Sequence, residues 1–410
     1  MKRAKFILLS VVLIFTFFFS NDFGLIDVEK TSIITAIAID KEKDEYLVTA
    51  QIAVPEATDQ NAENRKAEIS GKGSTVGEAL KNIGDVSGWF PKLAFCNLII
   101  IGDGLKDTNV VKVLDYFAKT LRIQDSALVA LAEKQAKELL SLSTPLDNIS
   151  SFALQKILLK NPGFDRDVCP TDVKSFCSGH YSPSSSAYMP LIKIISSEGG
   201  SNEENSDSSS NGGGQNSSTI TSGQSSTGNS QGVTENNKNL FDARTTALFV
   251  NGVKVGELDP ELTVTFNSFK ESLTDTTIPV NDVNYNGNKA NYLLTVLKGS
   301  PKLDIKATNN QLKVNLSLDI YCKISDVNAD GSDQTLSENQ PLPAPLIEKA
   351  QTIFKERLFD LINTSIQTGC DFLKIKEKLY RHHYEQYSRY KDNYLSVMKV
   401  SVDAKVHGQK

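Results

Sequence analysis

The sequence predicts a mixed α/β and α+β protein of more than one domain, carried behind a short apolar N-terminal segment. Three observations predict it. Strand-like and helix-like segments alternate through the first 143 residues, and a polar tract of some forty residues interrupts the middle. The last third reads as hairpin, helices and a closing strand.

The chain opens Met1-Lys2-Arg3-Ala4-Lys5 and runs apolar from Phe6 to Phe19, broken only by Ser10 and Thr16. A basic start before a short apolar run is the pattern of an export signal. As a helix that run spans roughly 20 Å, short of the about 30 Å of a bilayer core. Residues 1–22 are therefore expected to be a signal or marginal anchor, with the rest of the chain outside the cytoplasm. With 40% hydrophobic and 23% charged residues, that remainder has ordinary globular composition. A net charge of −5 argues against a nucleic-acid partner, which needs a basic face.

Ile33–Ile39 and Tyr46–Val54 flank a charged turn and read as a hairpin. Thr75 opens a helix with Glu78 as its capping-box partner and Ala79, Leu80 and Ile83 on one face. Leu98–Ile101 is a buried strand, Val110–Leu121 an amphipathic helix, Ala127–Ala132 a strand and Lys134–Leu140 a helix. From Ser196 to Asn239 the chain is Ser, Asn, Gly, Gln and Thr, too poor in apolar groups to offset its ordering entropy. Ala187–Ile195 leads into it. Thr245–Val250, Asn251-Gly252 and Val253–Leu258 form a hairpin beyond it, Asn-Gly being a strong turn signal. The tract is read as a loop inserted in one sheet in preference to a linker between domains.

Further on, Leu303, Ile305 and Ala307 alternate with polar residues, as do Leu312 through Cys322 after a turn at Asn309-Asn310. Pro345 starts a helix striped by Leu346, Ala350, Ile353, Phe354, Leu358, Leu361 and Ile362, and Gly369 ends it. A second helix runs through Phe372, Ile375 and Leu379, and Met398–Val406 alternate as a final strand. The expected division is 1–22; an N-terminal region 23–195, its first lobe 23–143 and a middle lobe starting at 144–195 and continuing at 240–290; the insertion 196–239; and a C-terminal domain 291–410.

No catalytic, cofactor, metal or lipidation residue is predicted. His180, His382, His383 and His407 lack partners at metal spacing, and no G-x-S-x-G elbow occurs. Gly71-Lys72-Gly73-Ser74 fails the Walker spacing and is read as a tight turn into the Thr75 helix. Asp326-Val327-Asn328-Ala329-Asp330-Gly331 matches half a calcium loop, but Asp333 and Ser337 break the second half, so a polar turn is preferred. Tyr380, Tyr384, Tyr387, Tyr390 and Tyr394 recur near helical spacing, read as an amphipathic core edge in preference to an aromatic ligand surface. Five cysteines give neither a disulfide framework nor a zinc pattern. Cys96 and Cys322 sit in apolar runs, and a Cys169–Cys177 loop stays open.

Ala36-Ile37-Ala38-Ile39-Asp40 followed by Tyr46–Ile52 resembles the opening hairpin of the Ger(x)C proteins, the C subunits of spore germinant receptors. Gly71–Thr75 with Glu78-Ala79-Leu80, then Phe95–Gly102 and Val113–Phe117, are similar to the blocks that follow. Ala247-Leu248-Phe249, Gly256-Glu257-Leu258-Asp259-Pro260, the Tyr380 region and Val400–Gly408 resemble the later blocks, in the right order over nearly the whole chain. The resemblance implies a mixed α/β multidomain, non-enzymatic subunit without cofactor. It implies a place on the outer face of the inner spore membrane beside membrane-embedded A and B subunits, helping couple a small-molecule germinant to germination. The alternative is an exported, membrane-tethered solute- or wall-binding module. Two departures stand out. Phe95-Cys96-Asn97-Leu98 lies where the family usually shows a histidine, and Asp22 falls where its lipid-bearing cysteine is expected, with no cysteine before Cys96. Phe18 and Ser20 make a poor signal-cleavage site, so an uncleaved, unlipidated tether is expected.

Overall fold

The computed structural model describes residues 31–53, 66–120, 123–144, 147, 149–159, 167–196, 239–270, 274–285, 288–308, 311–329 and 341–408. The apolar start, most of the polar tract, the Asn309-Asn310 turn and the second half of the calcium-like segment lie outside them.

The chain begins with β1 (Thr31–Glu42) and β2 (Glu45–Ala53), the predicted hairpin, paired antiparallel, and β3 (Lys66–Gly73) extends it. Helix α1 (Val76–Ser87) follows, then β4 (Phe90–Lys92), β5 (Leu98–Ile101), α2 (Val110–Thr120) and β6 (Leu128–Ala132). Three helices then run in series, α3 (Ala136–Ser141), α4 (Ser150–Leu158) and α5 (Val173–His180). They lead into β7 (Ser186–Ser196), β8 (Asn239–Val250) and β9 (Val253–Leu258). One sheet takes all nine strands, in the order β3-β2-β1-β5-β6-β7-β8-β9, with β4 beside β1. Its centre, β1, β5, β6 and β7, is parallel, and both flanks are antiparallel hairpins. The central strands Leu-Ile-Ile-Ile and Leu-Val-Ala-Leu-Ala are buried at every residue, as a sheet covered on both faces requires. Helices α1, α2 and α5 cover one face through Leu80, Ile83, Leu114, Phe117 and Phe176; α3 and α4 cover the other through Leu139, Leu140 and Leu154.

Two local departures from the sequence reading have physical causes. The helix expected from Lys134 begins at Ala136, because the buried Asp40 carboxylate accepts from the amides of Ala136 (2.7 Å) and Lys137 (2.9 Å) and so fixes its first turn. The Gly71–Ser74 segment is no tight turn: β3 continues through Gly73, and α1 lies against it. A Cβ on Gly71 would stand 2.4 Å from the Ala79 carbonyl oxygen, so the glycines permit close helix–strand approach. The capping box at Thr75 forms, the Glu78 amide donating to Thr75 Oγ1 at 3.1 Å. The Glu78 carboxylate reaches one residue further back, to Ser74.

After α6 (Pro260–Lys270) a second sheet assembles from β10 (Thr276–Tyr285), β11 (Asn288–Ala307), β12 (Leu312–Ala329) and β13 (Lys399–Gly408). The first three pair antiparallel and β13 joins parallel to β12. The hairpin foreseen from Leu303 is far longer. β11 starts at Asn288 and carries Gly299-Ser300-Pro301, strand-breaking residues, within it. A register shift between Val296 and Lys298 absorbs the irregularity. Helix α7 (Ala344–Thr368) packs the predicted apolar stripe on this sheet and ends at Gly369, φ 67°. Short helices α8 (Ile375–His382), α9 (Tyr384–Tyr390) and α10 (Tyr394–Val397) complete the chain before β13. The second predicted helix starts at Ile375 and leaves Phe372 ahead of it. The Asp371 carboxylate caps the amides of Ile375 (2.8 Å) and Lys376 (2.7 Å). The architecture is thus the mixed α/β and α+β one expected, with mixed sheets and packed helices. No helix among the described residues is long and apolar enough to cross a membrane.

Candidate functional site

The two sheets share a core. Leu248 and Leu258 of the first pack with Phe266 of α6 and with the apolar face of the second. The end of α7 docks on the β7–β9 ribbon. The Asp371 amide donates to Ser186 Oγ at 2.9 Å and the Cys370 thiol to the Phe249 carbonyl at 3.4 Å. Gly256 admits Thr368, whose Cγ2 would be 2.6 Å from a Cβ there. Arg357 on α7 pairs with Glu261 on α6 at 2.9 Å. Burial pushes the Asp371 carboxyl up to about 6, against the pull of its two amide donors and the Tyr394 hydroxyl.

Beside this junction lies a cleft of ≈ 390 Å³. Its floor is aromatic. Phe266 meets Tyr188 of β7 and Phe372 edge-to-face at 4.9 and 5.1 Å, and both phenylalanines are buried. Three lysines also line it, Lys270, Lys374 and Lys378, from the end of α6, the link to α8 and α8 itself. The Lys270 ammonium sits 4.9 Å from the Tyr188 ring centroid and 3.4 Å from the Pro170 carbonyl oxygen. Lys378 donates to the Leu303 carbonyl at 3.4 Å, and burial holds it below the usual lysine value. Lys374 has a left-handed backbone (φ 60°), which turns the chain from the Asp371 cap into α8. No carboxylate lines the cleft among the described residues. The arrangement suits holding a ligand; it brings together no nucleophile and base.

Residues weighed in the sequence lie elsewhere. His407 stacks on Tyr321 at 4.8 Å and His180 packs on Tyr181 at the end of α5, the histidines remaining scattered. Asp326–Ala329 belong to β12, and among the described residues no three His, Cys, Asp or Glu side chains are grouped to hold a metal. The tyrosine run divides. Tyr390 and Tyr394 are buried and Tyr387 is half-buried against the core, whereas Tyr380 and Tyr384 are exposed; Tyr387 links the two groups, stacked on Tyr384 at 6.1 Å. No disulfide forms among the five cysteines: Cys169 is buried, Cys177 partly so, and the two are not bonded to each other. Cys96 and Cys322 are core residues, as read, their thiols pushed up to about 12 by burial. The cleft residues escaped sequence reasoning because they come from separate segments; only the four-residue spacing of Lys374 and Lys378 was visible.

Fold and junction together define a class: a covered, mixed nine-stranded sheet locked to a four-stranded sheet under one long helix. Family comparison adds what the fold alone does not say. Residues 25–194 match the model described as spore germination protein N-terminal domain, and residues 244–409 the model described as spore germination B3/GerAC-like, C-terminal. The chain belongs to the Ger(x)C family of spore germination proteins. Among solved structures it is similar to the crystal structure of the GerBC protein, at 13% identity and a TM-score of 0.45, over 94% of this chain and 100% of that one. No curated protein matches it.

Proposed function

We propose that this chain is the C subunit of a spore germinant receptor: a non-enzymatic protein held at the outer face of the inner spore membrane. Its partners are the membrane-embedded A and B subunits, and its role is to help couple small-molecule germinant sensing to germination. One observation carries the reading: both family domains occur in order and together span most of the chain. The junction supports it, because a subunit that relays a signal needs its parts mechanically joined, and Asp371, Ser186, Cys370 and Thr368 join them. The N-terminal apolar run, uncleaved and unlipidated, would supply the tether. The test is a deletion strain. Spores lacking the chain should lose the response to at least one germinant and regain it with the full-length chain; a normal response to every germinant tried would refute the role.

A further inference from the structure

We propose that the cleft between α6, β11 and α8 is a binding site for a small organic anion with an aromatic or branched apolar body. Three features converge on that chemistry. The ≈ 390 Å³ volume lies within the range of small-molecule sites, about 300–1,000 Å³. The floor of Phe266, Phe372 and Tyr188 offers apolar faces and edges in a fixed edge-to-face arrangement, which favours a flat or branched hydrocarbon over a sugar or a bare ion. Lys270, Lys374 and Lys378 line it too, with no carboxylate among the described lining residues. Asp304 acts on Lys378 through space and itself pairs with Lys302 at 3.0 Å.

The lysines hold only long or weak contacts: Lys270 also bonds the Tyr188 side chain, a neutral partner that a carboxylate would displace. Lys378 and Lys270 each reach a carbonyl at 3.4 Å, beyond the usual hydrogen-bond length, although an ammonium carries three donors. Lys270 also lies 3.5 Å from the Cys169 sulfur, a weak acceptor. A carboxylate beside the lysines would take those donors while its apolar body displaced water from the floor. The site also spans the joint. Tyr188 belongs to the first sheet, Lys270 ends α6, and Leu303 and Lys378 belong to the second part, so an occupant touches both sides at once. The assignment needs neither a receptor complex nor a membrane and stands apart from the proposed function.

Titration calorimetry on the full chain in detergent, with 3-phenylpropionate as probe, tests it. Saturable binding is expected, and Lys270→Gln and Lys378→Gln should each weaken it by roughly tenfold, the order of one charged hydrogen bond. Acetate, with the charge and no body, and 3-phenylpropylamine, with the body and the opposite charge, should not bind. Unchanged melting temperatures for both lysine variants keep loss of binding distinct from loss of fold. The proposal is overturned if 3-phenylpropionate does not bind, if both lysine variants bind it undiminished, or if acetate or phosphate binds as tightly, which would mark a simple anion site.

Discussion

Asp371 shows how much one buried side chain does here. Its carboxylate caps α8 while its amide holds Ser186 across the joint, so a single residue fixes a helix start and an inter-sheet contact. Its folded pKa of about 6 stands above the ordinary 3.8, so the folded state takes up the proton first as pH falls. That contribution to stability is complete below about pH 4 and is lost as pH rises through about 6. Relative to Asp371→Asn, the native protein should therefore gain about 1 kcal/mol between pH 7 and pH 5, read by denaturant unfolding at the two pH values. A flat difference would show the carboxyl to be unperturbed. Gln51 plays a comparable part in the first sheet. Fully buried, it donates to the Leu140 carbonyl at 2.8 Å and to Ser150 Oγ at 3.0 Å, and accepts from the Ser151 amide at 3.0 Å. Gln51→Leu takes away all three of these bonds and should cost about 2–4 kcal/mol in urea unfolding, several times the effect of an exposed change.

Among the elements, the contact of α1 with β3 depends on an absent side chain. Gly71→Ala should destabilise by about 1–3 kcal/mol, since the added methyl meets backbone that cannot step aside; thermal unfolding reads it, and an unchanged midpoint would deny the close approach. The β7–β8 pair makes a second case. Ser196 and Asn239 are already partners in the ladder, so replacing residues 199–236 with a short Gly-Ser turn should leave the melting midpoint nearly unchanged. These elements also show what the sequence could and could not disclose. The Asn251-Gly252 hairpin, with φ values of 52° and 79°, the Thr75 cap and the α7 stripe were legible because each signal is local. α6 went unread, although Asp259 caps it and Pro260 opens it, because Thr263, Thr265 and Phe266 bury without a clear stripe. β11 was foreshortened because Pro301 and Gly299 argue against a strand that long pairing with β12 sustains. Apart from the Lys374–Lys378 spacing, the cleft leaves no local signal. Its floor joins residues nearly two hundred positions apart, Tyr188 and Phe372, and no spacing rule spans that distance.

For the whole molecule, the two sheets act as one because their cores run together through Leu248, Leu258 and Phe266 and because α7 closes on the β7–β9 ribbon. A body joined in this way can pass a load from one end to the other, as the proposed receptor role requires. The proposed role puts this chain inside a receptor complex. Affinity purification of the full-length chain from detergent-solubilised spore membranes tests it most directly. Membrane-embedded A- and B-type receptor subunits should come with it in stable proportion; recovery of the chain alone, free of any membrane-embedded partner, would refute the proposed role.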